Sequence, residues 1–304
     1  MAAPPPHRVA RSTDLEPPSP HDGLLSSFVR WIRLHPSGLI GAAVVLVFLL
    51  AAVFAGVLAP YGIDEGDLDN RMAPPSLDHL LGTDKVGRDH FSRLIYGARA
   101  SMLLAVGAVL VSQTLAAVVG LSSGYFGGWF DLIAQRVIDI WIALPGLLFL
   151  IFVIGTIGAS TPVVLVVLGL LLFAGSSRVI RGVTLSLKSY PFVEAARGTG
   201  ASHARVIARH ILPNVLPLIV VQATLQLGVA VLIESSLSFL GFGVPPPTPT
   251  WGRMLADARG DLASPGGFNL ALWPGLAITA VVYSFNMLGD TLHDILEFHQ
   301  RPRS

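Results

Sequence analysis

The chain has 304 residues, 52% of them hydrophobic and only 13% charged, with a formal net charge of +1 and no cysteine. A soluble domain keeps about a quarter of its residues charged because its surface faces water, so a water-soluble globule is excluded, and with it any disulfide or thiol chemistry. The basic residues are dispersed between apolar segments and form no continuous basic face, so nucleic acid is not expected as a partner.

The shortage of charge is regional. No charged side chain occurs from Ala100 to Phe130 or from Ile140 to Ser177, and runs of that length have lipid as their ordinary solvent. Residues 1–21 are proline-rich and polar and are expected to be a disordered cytoplasmic tail. They lack the charged segment and short apolar core of a signal peptide. Over 22–36, Leu24, Leu25, Phe28, Trp31 and Ile32 recur at helical spacing beside Arg30 and Arg33. This stretch reads as an amphipathic helix lying in the lipid interface, or equally as an extension of the first span.

A helix needs about 20 apolar residues to cross a hydrocarbon core of about 30 Å. Gly38–Ala59 meets that as the first span and Ala100–Leu121 as the second. Ile140–Ser177 is long enough for two spans, broken at Gly155–Pro162 where glycine and proline punctuate a turn. Asn214–Ile233 is the fifth span and Leu272–Leu288 the sixth. The expected fold is an all-α integral membrane protein of about six transmembrane helices. Its parts are the first span with its extracytoplasmic loop (37–98), a five-helix core (99–290) holding a cytoplasmic loop at 178–213, and a cytoplasmic tail (291–304).

With the N-terminus inside, the inner segments carry 13 Lys and Arg and the outer ones 7, of the 20 in the chain. That bias predicts both termini in the cytoplasm. Ala116, Gly120 and Gly124 form a small-residue ladder that lets helix backbones approach closely, and is read as packing. Gln113, Gln222, Gln226 and Asn286 are the polar groups inside spans; they either bond helix to helix or line a translocation path. Asp84, Arg88, Asp89 and Arg93 have the spacing of a self-paired surface helix, or else brace an outer mouth. Glu234, near the end of the fifth span, is expected to be paired or solvated.

The loop at 178–213 carries the most information. Pro191 suits a first helical position and Glu194 the first turn. Phe192, Ala195, Ala196 and Thr199 then share a mostly small face, with Gly198 and Gly200 ending the helix and Ser202 capping the next. Pro213 is expected to break that second helix where the fifth span begins. Such a short helix is shaped to enter a groove on a partner; an ordinary positive-inside loop with an elbow is the alternative.

Glu194-Ala195-Ala196, Gly200 after three intervening residues, and Leu212-Pro213 resemble the EAA loop of ABC importer permeases. His210 stands where that pattern has isoleucine. The block from Gly82-Thr83-Asp84 through Gly87-Arg88-Asp89 and Ser92-Arg93 to Ser101 is similar to that of dipeptide and oligopeptide permeases. So are Glu234–Gly243, Pro247–Gly252, Pro274–Ile278 and Asn286–Asp290 with His293-Asp294. The pattern is that of the C-type subunit and covers nearly the whole chain from Leu24.

The resemblance implies the type I ABC importer permease fold in the bacterial inner membrane. It also implies a coupling helix built on Glu194, Ala195, Ala196, Gly200, Leu212 and Pro213. The implied partners are a B-type permease, two ATPase domains holding ATP and Mg, an extracytoplasmic peptide-binding protein, and the surrounding lipid. The implied cargo is di- or oligopeptides, with nickel, glutathione, opines or heme as alternatives within the family. An ATP-independent secondary transporter and a non-transporting membrane scaffold are readings from other classes.

No cofactor is expected in the chain itself. Its two lysines, Lys85 and Lys188, follow Asp84 and Leu187, so no Gly-Lys dipeptide and no phosphate-cradling loop exists. His203 and His210 are seven apart and His293 and His299 six apart, so neither pair has the spacing of helical metal ligands and no metal site is expected. A catalytic role is likewise not expected, since the intramembrane amides are poor acid–base groups.

Overall fold

The computed structural model describes residues 36–264 and 266–300, with side chains as far as Asp294. The tail expected at 1–21 and the amphipathic stretch at 22–36, Pro36 excepted, lie outside the described residues. Among the described residues the backbone is helical. The only pairings of extended chain are isolated bridges between Gly66 and Arg88 and between Thr83 and Asp89.

The first span is α1 (Pro36–Val53), followed after Phe54 by a single turn, α2 (Ala55–Leu58). A segment with one 3-10 turn at Leu68–Asn70 leads to α3 (His90–Phe126). At 37 residues α3 is about 55 Å long, so it overshoots the expected Ala100–Leu121 span at both ends. Its start is set by Asp89, whose carboxylate accepts from the Ser92 amide at 2.7 Å. Its end is set by Gly127, at φ +67°.

The next segment departs from expectation. The break at Gly155–Pro162 is present, between Ile157 and Thr161, but the span before it begins at Gly128 and not at Ile140. It consists of α4 (Gly128–Ala143) and α5 (Gly146–Ile157), bent at 87° to one another. The cause is Pro145, which cannot donate its amide and drives Leu144 into the extended region at ψ 133°. Asp131, Arg136 and Asp139 therefore ride on a helix, where the hydropathy pattern left them in a loop.

The bundle is completed by α6 (Thr161–Leu187), α7 (Pro191–Gly198), α8 (His203–Val206), α9 (Leu212–Phe239), α10 (Trp251–Ala258) and α11 (Gly267–Gln300). Pro213 does not break the chain. A π turn at Ile207–Ile211 joins α8 to α9, so His203–Phe239 runs on as one 37-residue helix. The wider turn accommodates the missing proline amide, and the His210 carbonyl accepts from Asn214 Nδ2 at 2.6 Å. Likewise α11 continues past the expected Leu288 through Pro274 and into the region assigned to a tail. Among the described residues, five helices are long and apolar enough to cross a membrane, and the α4–α5 pair makes a sixth crossing when taken as one span.

α3 packs along α6, and the small-residue ladder is the reason it can. A Cβ on Gly120 would stand 2.6 Å from the Ser177 carbonyl, and one on Gly124 would stand 2.8 Å from Thr184 Cβ. Ala116, one turn before Gly120, is fully buried. α9 packs on α11 and α3, with α10 between α9 and α11. Two apolar clusters result. One joins α1, α3, α5, α6, α9, α10 and α11; the other joins the end of α3 to α6, α7, α8 and the start of α9.

Candidate functional site

The second cluster positions α7. Tyr190 precedes it in an extended conformation (ψ 146°), Pro191 opens it, and Arg197 sits in its last turn, matched to the negative end of the helix dipole. Its end is a two-bond αL cap. The Gly200 amide donates to the Arg197 carbonyl at 2.9 Å and the Ala201 amide to the Ala196 carbonyl at 3.1 Å, with Gly200 at φ +82°. Ser202 then accepts from the Arg205 amide at 3.4 Å, capping α8 as its residue type implies.

The face of α7 differs from the one expected. Val193 and Ala196 are buried with Tyr125, Ile180, Val206 and Ile211, so Ala196 anchors the helix to its own bundle. Phe192, Glu194 and Ala195 are exposed, as are Tyr190 and Gly198. The i, i+3 pair that faces inward is thus Val193–Ala196, one position off the Phe192–Ala195–Ala196–Thr199 face. Leu212 packs against the same cluster and Pro213 lies exposed in the first turn of α9, so both shape the elbow behind α7.

Polar and aromatic contacts that were not legible in the motif tie this segment to the end of α3. The Tyr125 hydroxyl meets His203 Nδ1 at 2.9 Å, and the Arg197 guanidinium lies over the Tyr125 ring, 4.8 Å from its centre. Beside them Arg181 on α6 grips Asp131 on α4 with two bonds of 2.5 Å. The one available signal for this last pair was spacing: Asp131, Arg136 and Asp139 recur within apolar sequence, as do Arg178 and Arg181.

The four intramembrane amides separate into two kinds. Gln113 Nε2 donates to Gln226 Oε1 at 2.9 Å and to Ser176 Oγ at 3.1 Å, while Ser112 donates to Gln226 at 3.0 Å. Gln226 in turn donates to the Leu172 carbonyl at 3.0 Å. These two amides knit α3, α6 and α9 together. Asn286 is exposed on α11 and bonds only its own helix, at the Val282 carbonyl (2.9 Å), and Gln222 is half-buried on α9.

At the other end of α3 the charged motif is a loop and not a surface helix, because α3 starts only after Asp89. Asp84 Oδ1 accepts the amides of Val86 (2.9 Å) and Arg88 (3.0 Å), and its other oxygen takes Arg88 Nε at 2.8 Å. Gly82 and Gly87 hold positive φ at either side. Thr83 donates to the Asn70 carbonyl and accepts from the Ala73 amide at 2.8 Å. Arg93 is only 4% exposed and reaches Asp84 (3.8 Å) and, on α10, Asp257 (3.5 Å). The Gly82–Arg93 motif is therefore a folded cap that fastens the loop after the first span onto α3 and α10.

Glu234 is neither solvated nor paired with a cation. It is fully buried, and its carboxylate accepts from Ser238 at 2.6 Å and from Ser101 at 3.4 Å. Ser101 also accepts from the Trp251 amide at 3.3 Å, and Trp251 Nε1 donates to the Leu94 carbonyl at 3.1 Å. The Glu234–Gly243 and Trp251-Gly252 motifs thus meet at one joint of α3, α9 and α10.

Comparison with known proteins accords with this arrangement. Residues 116–302 match the family described as binding-protein-dependent transport system inner membrane component. Residues 23–75 match the N-terminal transmembrane domain of oligopeptide transport permease C. The glutathione transport system permease protein GsiD of Escherichia coli O1:K1 is 39% identical over 271 residues, covering 89% of each chain. GsiD of Shigella boydii serotype 4 matches to the same extent. Among solved structures, the inward-facing MetNI methionine ABC transporter superposes with a TM-score of 0.52 at 18% identity. That match covers 69% of this chain and 97% of the other, and it shows the fold. The secondary-transporter and scaffold readings are thereby set aside: the chain belongs to the family of binding-protein-dependent transport system inner membrane components, as an ABC importer permease of the oligopeptide type.

Proposed function

We propose that this permease carries small peptides, glutathione among them, as one half of a translocation path whose other half is a B-type permease. Glutathione is favoured over nickel, opines and heme because the GsiD relatives are glutathione permeases. The chain performs no chemistry of its own. ATP and Mg act on two partner ATPase domains, and a peptide-binding protein delivers cargo at the Gly82–Arg93 cap. Of the four amides, Gln222 and Asn286 are the ones left free to line the path, since Gln113 and Gln226 hold helices together.

The observation that carries this reading is α7. It is pinned from behind by Val193 and Ala196 and presents Phe192, Glu194 and Ala195 outward, which suits a helix seated in a cleft of the ATPase. A Cβ on Gly200 would meet nothing within 4 Å, but at φ +82° any side chain strains the backbone. Gly200→Trp therefore loosens the cap of α7 as well as obstructing a partner, and Glu194→Lys carries the docking test by itself. Glu194→Lys and Gly200→Trp are expected to insert into the membrane normally, lose co-purification of the ATPase, and take up glutathione no faster than a deletion strain. Uptake at the parental rate by Glu194→Lys refutes the assignment. Competition by peptides of graded length then defines the cargo.

Both termini are placed in the cytoplasm on the Lys and Arg bias. Leu77 is 97% exposed in the loop after the first span, and Thr199 is exposed at the end of α7. In the cysteine-free chain, a thiol at position 77 should react with a membrane-impermeant maleimide added to cells. A thiol at position 199 should react only after the membrane is opened, and the reverse pattern inverts the topology.

A further inference from the structure

Asp131 lies on a helix with little else to hold it. Of the sixteen residues of α4 only Ile138 is buried, and Trp141 adds one bond to the Leu170 carbonyl at 2.9 Å. Its Trp141 ring also meets Phe173 of α6 edge-on, 6.0 Å between centres, and the remaining ties to α6 are ionic. Arg181 Nε and Nη2 each donate to Asp131 at 2.5 Å, and Arg178 donates to Asp139, which also meets Arg136 at 3.5 Å. The Asp131 side is built inward. Ser123 of α3 donates to the same carboxylate, and Gln135 donates to Ser123 Oγ at 3.2 Å. Three helices therefore meet at one carboxylate, whose side chain is 15% exposed.

The place of this clasp matters more than its strength. Ile180, the residue before Arg181, is fully buried in the cluster that anchors Val193 and Ala196 of α7. One turn of α6 thus holds α7 on one side and α4 on the other. From Arg181 to the end of α6 at Leu187 is about 9 Å of helix, and α7 follows after three residues. At its far end α4 meets α5 at the 87° elbow of Leu144–Pro145. A two-bond guanidinium–carboxylate pair resists rotation as well as separation, which an apolar contact on so exposed a helix does not.

We propose that Asp131 and Arg181 are positioning residues for transport, making α4 and its elbow move with the segment that carries α7. Displacement of α7 by the ATPase then reaches the crossing formed by α4 and α5. This rests on the reading of α7 as the docking helix. A purely structural pair would neutralise two charges near lipid and matter only for assembly; a positioning pair sets how much cargo moves per ATP.

The test uses the complete transporter in proteoliposomes, with Asp131→Asn, Arg181→Gln and the swap Asp131→Arg with Arg181→Asp. Import and ATP hydrolysis are read together, and cross-linking of Phe192→Cys to the ATPase reports docking. The single variants are expected to assemble and cross-link as the parent does, yet import about tenfold less per ATP, and the swap should recover most of that loss. Unchanged import per ATP in both single variants overturns the proposal, as does a loss of import that tracks lost assembly. Absence of the Phe192→Cys cross-link in the otherwise unaltered transporter removes the docking reading and this inference with it. A cross-link that forms while import per ATP is unchanged removes the inference alone.

Discussion

Gly87→Ala is expected to unfasten the Gly82–Arg93 cap while leaving the spans inserted. Gly87 holds φ +80°, and a Cβ there would stand 1.7 Å from the Asp67 carbonyl oxygen and 2.4 Å from its carbon. Both obstacles are backbone, so no rotamer change relieves them. The close approach is itself a bonded one: the Asp67 amide donates to the Gly87 carbonyl at 3.2 Å, and the Gly87 amide donates to the Asp84 carbonyl at 2.9 Å. Left-handed strain costs about 1–2 kcal/mol and overpacking about 1–3 kcal/mol more, enough to separate residues 61–72 from the turn at 82–89. Asp84 would then lose the geometry that takes Arg88 and faces Arg93. New proteolysis in the 61–89 segment from the outer face of sealed vesicles should appear, together with lost uptake. Gly128→Ala is the control, because Gly128 also has positive φ (+57°) but an added Cβ would meet nothing within 4 Å. A parental digestion pattern for Gly87→Ala refutes the account.

The contrast between those two glycines shows what can be read before the fold is known. Spans α1, α3, α6, α9 and α11 were legible because lipid selects on composition alone, and a run of apolar residues needs no tertiary partner to declare itself. Gly200 was legible for a local reason, since a helix that stops needs a residue tolerant of positive φ. The small ladder at Ala116, Gly120 and Gly124 carried its own periodicity. What escaped depends on a second segment. Asp84 and Arg88 have helical spacing, yet the turn that Gly87 makes against Asp67 places them ahead of the helix. Pro213 is a helix breaker in isolation, and a π turn absorbed it. Asp131 looked like a loop residue because its partner, Arg181, is fifty positions away, and the inward face of α7 is set by Tyr125 and Ile211 and not by α7 itself.

Glu234→Ala is expected to have the second large effect, at a site where sequence alone called for a cation or water. The residue is fully buried and met by hydroxyls: Ser238 at 2.6 Å, Ser101 at 3.4 Å, and Thr250 behind them, donating to Ser238 at 3.2 Å. Hydroxyls donate and accept by rotation, so Gln in place of Glu can be bonded by the same two serines; Glu234→Gln is expected to stay within about 1 kcal/mol of the parent. Alanine removes the acceptor and leaves a cavity, at a cost of about 3 kcal/mol or more once the stranded hydroxyls are included. The penalty falls on a joint and not on a surface. Ser101 also receives the Trp251 amide, and a Cβ on Gly252 would stand 2.4 Å from the Ser235 carbonyl, so α10 sits flush on α9 only while this network holds. Loosening α10 frees Asp257 from Arg93 and reaches the cap from below. The measurement is thermal unfolding of the detergent-solubilised transporter, with Tm lowered for Glu234→Ala and Glu234→Leu but nearly parental for Glu234→Gln. Were glutamine as damaging as alanine, the negative charge itself and not its hydrogen bonds would be what the joint requires. Were leucine tolerated, packing alone would hold α10, and the carboxylate would have no structural part there.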